Sequence, residues 1–417
     1  MMNKVIVIGG GAAGMMAAVT AAENGASVIL LEKNEKLGKK IYITGKGRCN
    51  VTNATNKEGI LQKTVKNPRF LYSAFSALSS ENLMQKLENW GCKLKIERGQ
   101  RVYPISDKAS DVTRAFEKRL KVLNVLVYYN TRVKKLVSNE NGIVGLVTDK
   151  GENIVADAII VATGGMSYPS TGSTGDGYNL LSDLKHNILK PTPTLIPLIS
   201  NSDYIKQLQG LSLKNVRLTV QKNNKTVYTD LGEMLFTHFG ISGPLVLSAS
   251  AYTCQLPFKE LAFTIDLKTG LTREQLEQRI LRDCNENGKK QLQNYLCSLL
   301  PSRMAKLFPE MFNIQENKEL SKLTKEERNI IIKNIKAFPV QIVGMRALSE
   351  AVVTRGGADV KQINPKTMES KLCKGLYVAG ELLDVDALTG GFNLQIAFST
   401  GYVAGKEAAE QNKGMTN

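Results

Sequence analysis

The sequence predicts an α/β protein in which both chain ends build one parallel-sheet domain and the middle is inserted into it. Three observations carry this. An apolar run, Val5 to Ile8, ends in Gly9, Gly10 and Gly11 and leads into a small-residue helix from Ala12 to Ala22. A second buried strand, Val28 to Leu31, follows Gly25 and ends in Glu32. Near the other end, Gly375 to Gly380 reads as a further buried strand closed by Glu381, and a glycine turn, Gly390-Gly391, precedes a long helix.

The first two runs frame Gly9, Gly11 and Gly14 as a G-x-G-x-x-G between strand and helix, the context that gives this spacing its meaning. The glycines permit a tight turn and let the backbone approach a pyrophosphate, which then sits on the helix N-terminus. Glu32 lies 18 residues after Gly14, near the spacing of about 20 for an acid that accepts from a ribose hydroxyl. Together these features predict a Rossmann-like dinucleotide site. The helix after Gly391 adds a second N-terminus facing a ligand, and its dipole suits the negative charge of a reduced flavin ring. That feature favours a flavoprotein over an enzyme binding only a nicotinamide cofactor.

With 417 residues there is room for two or three domains. The apolar share of 42% and charged share of 22% are those of a globular protein. The glycine-broken N-terminal run is too short to span a bilayer and lacks the features of a signal peptide. Six cysteines are scattered without a C-x-x-C pair, which fits a reducing cytoplasm and argues against a disulfide framework or a zinc site. Charge is uneven. Residues 33 to 135 hold 23 Lys/Arg against 8 Asp/Glu, a net of +15; residues 191 to 340 carry +6 and the remaining segments −4. A basic excess focused on one region suits nucleic acid or another polyanion, or is a solvated lysine-rich surface.

In chain order, residues 33 to 54 read as an irregular loop whose backbone donors and cations (Lys39, Lys40, Lys46, Arg48) wrap phosphates. Residues 68 to 90 and 108 to 122 read as amphipathic helices. Val125 to Tyr129, Val133 to Val137, Ile143 to Thr148 and Asn153 to Val155 read as strands of a meander. Asp157 to Thr163 is a buried strand running into Gly164 and Gly165, and Ser170 to Tyr178 is a second glycine loop leading into a helix. After the prolines at 191 to 197, residues 195 to 267 alternate like strands, and residues 272 to 336 are polar and helical in pattern.

The motifs GGGAAG, GKGRCNVTN (45 to 53), STGSTGDGY, LFTHFGISGP (235 to 244), INPKTMESK (363 to 371) and GELLDVDALTGGFNLQIA (380 to 397) occur in the order of a known family. The chain resembles the BaiN/RdsA-type NAD(P)/FAD-dependent oxidoreductases, which include aminoacetone-oxidase-like flavoproteins. The resemblance covers essentially the whole length. It implies an FAD-binding domain from residues 1 to 190 and 360 to 417, a β-barrel-like insert from 191 to 271 and 337 to 359, and a small helical domain from 272 to 336. It also implies the cofactor contacts. Gly9, Gly11, Ala12, Ala13, Gly14 and Glu32 would hold the ADP half, with Lys33 and Lys40 nearby. Val133 would meet the adenine through its backbone, and Ala162, Thr163 and Gly164 would pass beside the cofactor. Gly380 and Glu381 would face the ribityl chain, and Gly391, Phe392 and Asn393 would lie under the ring. Gly45, Arg48, Cys49 and Asn50 would approach the ring's substrate side. The chain departs from the family's pattern at Arg355 to Ala358, where many relatives have an extra glycine and a valine.

Family members reduce uridine to dihydrouridine in 23S ribosomal RNA, reduce bile-acid enones or oxidise aminoacetone. The two reductions share one chemistry: hydride to the β-carbon of an enone-like C=C and a proton to the α-carbon, which needs a carbonyl-polarising donor and a general acid. Arg48 is the candidate donor. Cys49 is the candidate acid, its pKa altered by Arg48 and Lys46, or a small packing residue. His238 reads as a core or barrel-lining histidine or a substrate contact, and His186 as a surface loop residue. Arg101 and Tyr103 flank a substrate or pack. Asp384 and Asp386 lack a third ligand, so no metal is expected. With a single G-x-G-x-x-G, NAD(P)H is expected as a transient electron donor. The expectation is an FAD-dependent, NAD(P)H-using reductase of 23S rRNA, held through the basic region 33–135. The alternatives are a small-molecule flavoenzyme or a flavin-bearing RNA-binding factor without turnover. No membrane partner is expected.

Overall fold

The computed structural model describes residues 2–411, so Met1 and the last six residues of the expected 360–417 segment lie outside the described residues. Two compact units emerge, one from residues 1–194 and 348–417, the other from 195–347.

The first unit is built on strand β1 (Lys4–Ile8), helix α1 (Ala12–Glu23) and strand β2 (Ser27–Leu31). β1 and β2 are almost wholly buried apolar runs because a parallel sheet is covered on both faces. They pair in parallel, Val5 beside Val28, and the sheet order runs Leu376–Val378, Ala158–Val161, β1, β2, Leu126–Tyr128. The strand expected over Val125 to Tyr129 therefore joins this sheet rather than the meander. The helix Ala109–Val122 before it supplies the crossover that a parallel neighbour requires. Val133–Asn139, Gly142–Thr148 and Asn153–Val155 form the antiparallel meander by themselves.

α1 is apolar nearly all round and buried on ten of its twelve residues, because the sheet, the C-terminal helix Phe392–Glu410 packed beside it on that sheet, and helix Ala109–Val122 all cover it. Backbones meet at that contact. A Cβ on Gly401 would overlap the carbonyl of Ala13, and one on Gly405 the carbonyl of Ala17. The pairing of 13 with 401 and 17 with 405 makes the helices run the same way.

Three local expectations change. Residues 33 to 54 contain a short helix, Lys39–Ile43, and a 3-10 turn, Thr44–Gly47; only Ile41 of that helix is buried, so no apolar pattern announced it. The single helix expected over 68 to 90 is a 3-10 turn (Pro68–Leu71) and two helices, Tyr72–Ala77 and Ser80–Asn89, with Ser79 capping the second through Asn82 N–H. His186 is not a surface residue: it is buried, Nδ1 against the Leu181 carbonyl (3.2 Å) and Nε2 against Ser370 Oγ (2.7 Å), and burial lowers its pKa.

The second unit holds a seven-stranded antiparallel sheet centred on the hairpin Ser212–Lys222/Lys225–Thr237. Its pairings run from Phe338–Val340 to Gly344–Met345, and among the described residues no pairing joins these two ends into a barrel. Helix Pro244–Thr253 interrupts the strand-like stretch 195 to 267; Gly243 and Pro244 start it, and it is buried on most sides. The helices Arg273–Glu286, Leu292–Leu299, Ser302–Met311 and Lys325–Lys336 share one apolar core with the sheet rather than forming a separate one. Two of them open on capping boxes, Thr272 with Gln275 and Thr324 with Glu327. The ladder Ile188–Thr194/Val353–Ala358 lies in the first unit, which thus takes residues 191 to 194 and 348 to 359 from the segments expected for the insert.

Among the described residues, no helix is long and apolar enough to cross a membrane, and no three His, Cys, Asp or Glu side chains gather as a metal set. Gly401→Val should cost about 3 kcal/mol, because overpacking here displaces backbone rather than a side chain; a lowered urea midpoint checks this.

Candidate functional site

The turn between β1 and α1 shows what each glycine is for. A Cβ on Gly9 (φ +102°) would lie 2.6 Å from the Ala162 carbonyl, and one on Gly14 would overlap the Gly9 carbonyl. Both are demanded by the protein itself. Gly11 is different: its φ is −82°, and a Cβ there would meet nothing within 4 Å. Neither backbone conformation nor neighbouring protein requires a glycine at that position, whereas a ligand approaching the backbone does. α1 begins there with no side-chain cap and no acid in its first turn, leaving its amides and dipole for an anion.

At the end of β2, Glu32 is 7% exposed. Its Oε2 accepts from Gly10 N–H (2.7 Å) and its Oε1 from Asn34 N–H (2.8 Å) and Asn34 Nδ2 (2.7 Å). The carboxylate is thereby fixed beside the glycine turn with acceptor capacity left for a hydroxyl. Thr131 N–H donates to the Glu32 carbonyl (3.0 Å), bringing the buried Val133 of the meander close to the same end.

The third wall comes from far along the chain. Ala162 N–H extends the parallel ladder to the Ile8 carbonyl (2.8 Å), and Gly164 follows with φ +75°. Thr163 Oγ1 is buried without a hydrogen-bond partner. Gly380 packs on α1, where its Cβ would lie 2.8 Å from Ala13 Cβ. Glu381 accepts from Thr354 N–H (2.7 Å), Ser167 Oγ (3.0 Å) and Lys40 Nζ (2.6 Å).

At the start of the C-terminal helix, Gly391 (φ +95°) is an N-cap whose Cβ would overlap the Thr52 backbone. With its amide turned so that Oδ1 faces this glycine, Asn50 accepts from Gly391 N–H (3.0 Å) and donates to the Thr52 (3.0 Å) and Val102 (3.2 Å) carbonyls. The Asn393 side chain pins the Ala387 backbone, accepting from its N–H (2.9 Å) and donating to its carbonyl (2.7 Å). Phe392 is buried. Because α1 and this helix run in register 13 to 401, the second N-terminus stands eight residues beyond the first, roughly 12 Å. The open Gly11, an orphaned Thr163 hydroxyl, a fixed acid and two uncapped helix starts so offset fit an elongated dinucleotide such as FAD.

Other expected contacts are committed elsewhere. Lys33 pairs with Asp176 (2.8 Å), Lys39 with Glu35 (3.1 Å) and Lys40 with Glu381, so these cations hold protein carboxylates. Arg48 lies over the Tyr103 ring (4.1 Å to the centroid) and is bound by Glu97 and Asp107, which raise its pKa; Lys95 joins the same two acids. Gly45, Lys46, Gly47 and Cys49 all have positive φ, a strained turn that leaves Lys46 exposed and Cys49 fully buried. The pKa of Cys49 is altered, but by burial rather than by Arg48 and Lys46: it is pushed up to about 12. His238 belongs to the other unit and is neither core nor lining; it is exposed in the turn before Gly240, edge-on to Phe239.

Sequence reasoning missed Ser167, Thr354, Thr52 and Gln395. Thr354 Oγ1 accepts from Met166 N–H (2.8 Å) and Ser167 N–H (3.0 Å), and Thr52 Oγ1 donates to Gln395 Oε1 (2.5 Å). Their partners are 187 to 343 residues away, and no local signal marks them. Arg355, the departure from the family pattern, is a buried partner of Asp386: Nε to Oδ1 2.8 Å and Nη2 to Oδ2 2.6 Å, with side chains 7% and 0% exposed. Asp384 is likewise structural, accepting from Gly356 N–H (3.1 Å) and Asn67 Nδ2 (3.0 Å), while burial raises its pKa.

Gly11→Ala should leave the fold intact but reduce FAD retention at least about tenfold, since its methyl meets only ligand space. Gly14→Ala should lower stability by about 2 kcal/mol or more. Flavin absorbance and urea unfolding separate the two. The raised Cys49 pKa also has a sign. An unfolded cysteine ionises near 9, so stability is full below that pH and declines as pH rises toward 12, at roughly 1.4 kcal/mol per unit per group. Urea midpoints across that window should fall, and less steeply in Cys49→Ala.

Comparison with known proteins agrees with this geometry. The chain is 30% identical over 391 residues to a 3-dehydro-bile acid delta(4,6)-reductase of Clostridium scindens, covering 93% of this chain and 94% of that one. It is 28% identical over 404 residues to a ribosomal RNA dihydrouridine synthase of Escherichia coli, covering 96% and 97%. In fold it is similar to a 3-ketosteroid-delta4-(5alpha)-dehydrogenase of Rhodococcus jostii, with a TM-score of 0.53 at 13% identity, covering 98% and 97%. The model of the HI0933-like protein Rossmann domain matches residues 3–407, and the chain therefore belongs to that family of FAD-dependent oxidoreductases.

Proposed function

We propose that this chain is a cytoplasmic FAD-dependent reductase that takes electrons from NAD(P)H and converts a uridine of 23S rRNA to dihydrouridine. The observation that carries the RNA substrate is the location of the basic excess. The segment 33–135, with its net +15, also contains Asn50, Thr52 and Asn53, which build the junction with Gly391. Phosphate contacts dominate nucleic-acid affinity, so a basic surface around this junction suits an RNA more than a small neutral substrate. The likeness to a ribosomal RNA dihydrouridine synthase supports the same reading.

FAD, when bound, supplies the hydride that adds to the β-carbon of the enone-like C=C. The chain's own groups do the rest. The uncapped helix start at Gly391 stabilises negative charge by about 0.3–1 kcal/mol. Asn50 holds that start in place against the strand Thr52–Asn53. Arg48 polarises a substrate carbonyl only by giving up Glu97 or Asp107, so its expected role needs one of those pairs to open. Cys49, buried and neutral, acts as packing; its thiol is too weak an acid for efficient proton transfer at neutral pH. The target base has to be unpaired or flipped to reach the site.

A second reading, a small-molecule enone reductase, is favoured by the 30% identity to the bile-acid reductase. Anaerobic reduction of the FAD-loaded protein with NADH or NADPH, followed by 23S rRNA lacking the modification, decides between them. Flavin reoxidation and a gain of two hydrogens on one uridine by mass spectrometry are expected. No reoxidation by RNA but prompt reoxidation by a steroid enone moves the enzyme to small-molecule chemistry.

A further inference from the structure

Around the glycine loop 44–50 and the hairpin beside it, paired and unpaired cations stand close together in sequence. Arg48 and Lys95 are neutralised by Glu97 on the hairpin Leu94–Glu97/Arg101–Pro104 and by Asp107 just after it. Arg98 and Arg101, at the tip of the same hairpin, and Lys46 are exposed, and among the described residues none has an acid within ion-pair distance. Arg101 Nε donates to the Arg98 carbonyl (3.0 Å), which fixes the side chain's root without using its charge.

The tip is tied to the candidate site. Strand Thr52–Asn53 pairs with the hairpin, Thr52 opposite Val102 and Asn53 opposite Arg101. Asn53 Nδ2 donates to both the Gly99 carbonyl at the tip (3.0 Å) and the Gly390 carbonyl at the start of the C-terminal helix (3.1 Å). Ala54 N–H donates to the Gln100 carbonyl (2.7 Å). Lys46 sits in the positive-φ turn whose Gly45 abuts Asn50 and the Tyr103 ring. Uncompensated like charges held on a pinned hairpin repel one another, and a polyanion relieves that repulsion.

We propose that Arg98, Arg101 and Lys46 form a phosphate-binding rim that seats an RNA backbone beside the Asn50–Gly391 junction. Arg48, although central in the sequence motif, is structural in this rim: with Lys95 it holds the hairpin that carries the free charges. The proposal rests on the RNA reading of the function and adds to it where the backbone lies. Arginine at two of the three positions suits it, since a guanidinium can bind phosphate in bidentate fashion.

Filter binding of an unmodified 23S rRNA transcript to the full-length FAD-loaded protein, over a series of salt concentrations, tests this. The double variant Arg98→Ala/Arg101→Ala is expected to bind about tenfold more weakly near 0.1 M salt, with the log–log salt slope reduced by about 2. Arg98→Lys/Arg101→Lys should restore most of the slope, which rules out a folding defect, as does retained flavin absorbance in both. Lys118→Ala/Lys121→Ala, removing two exposed cations of helix Ala109–Val122, should bind like the parent. If the parent binds and reduces the RNA while the Ala variant binds equally well, the rim is refuted and the RNA reading stands. If Lys118→Ala/Lys121→Ala loses as much affinity as the hairpin variant, the attraction is diffuse and the rim is refuted. If the parent neither binds nor reduces RNA, both fall; a raised KM for NADPH in the hairpin variant, with RNA binding unchanged, assigns the rim to the reductant instead.

Discussion

The close backbone contact between α1 and the C-terminal helix is the constraint on which the first unit depends. Small residues at Ala13, Ala17, Gly401 and Gly405 let two helices from opposite ends of the chain touch almost without side chains between them. Their common direction places two uncapped N-termini on one side, offset by roughly 12 Å. Each helix start alone is an ordinary anion site. Held in this register, they address two ends of one long ligand. Glu32, Ala162 to Gly164 and Glu381 then fall along the span because they terminate strands of the sheet on which both helices lie.

Around that frame, several of the charges nearest the site hold protein together. Lys33, Lys40, Arg48 and Lys95 all meet carboxylates. The clearest case is Arg355 with Asp386, a bidentate pair with almost no solvent contact. Removing one partner of such a pair strands a buried charge, typically at a cost of about 3–5 kcal/mol. The pair joins strand Val353–Ala358 to the segment that Asn393 pins, so it supports the helix start from behind. Ion pairs cancel and leave the net +17 unchanged, so what a partner meets is the unpaired cations, and their position decides what they can bind.

The glycine loop at 44 to 50 shows how strain and function meet. Four of its residues take positive φ, two of them not glycine. Such backbone persists only where the surroundings over-determine it, here Asn50 against Gly391 and Tyr103 beneath Arg48. The loop buries Cys49 and exposes Lys46. Neighbouring residues of one motif thus have opposite environments.

The sequence by itself determined the nucleotide-binding unit, the return of the chain end to it and the acid after β2. Those features are local: apolar runs of strand length, glycines at fixed offsets and an acid at a fixed distance are all readable without knowing what packs on what. The roles of charged and polar side chains were decided only by tertiary structure. Arg48, Cys49, His186 and His238 each changed meaning because burial and partners come from segments far off in sequence, Glu97 and Asp107 for Arg48 and Ser370 for His186. The same holds for Gly11, whose open Cβ position separates it from Gly9 and Gly14 although the motif treats all three alike. Local pattern reports backbone conformation and burial periodicity; which ions pair, which thiols ionise and which glycines face a ligand depend on distances that exist only after the chain has closed on itself.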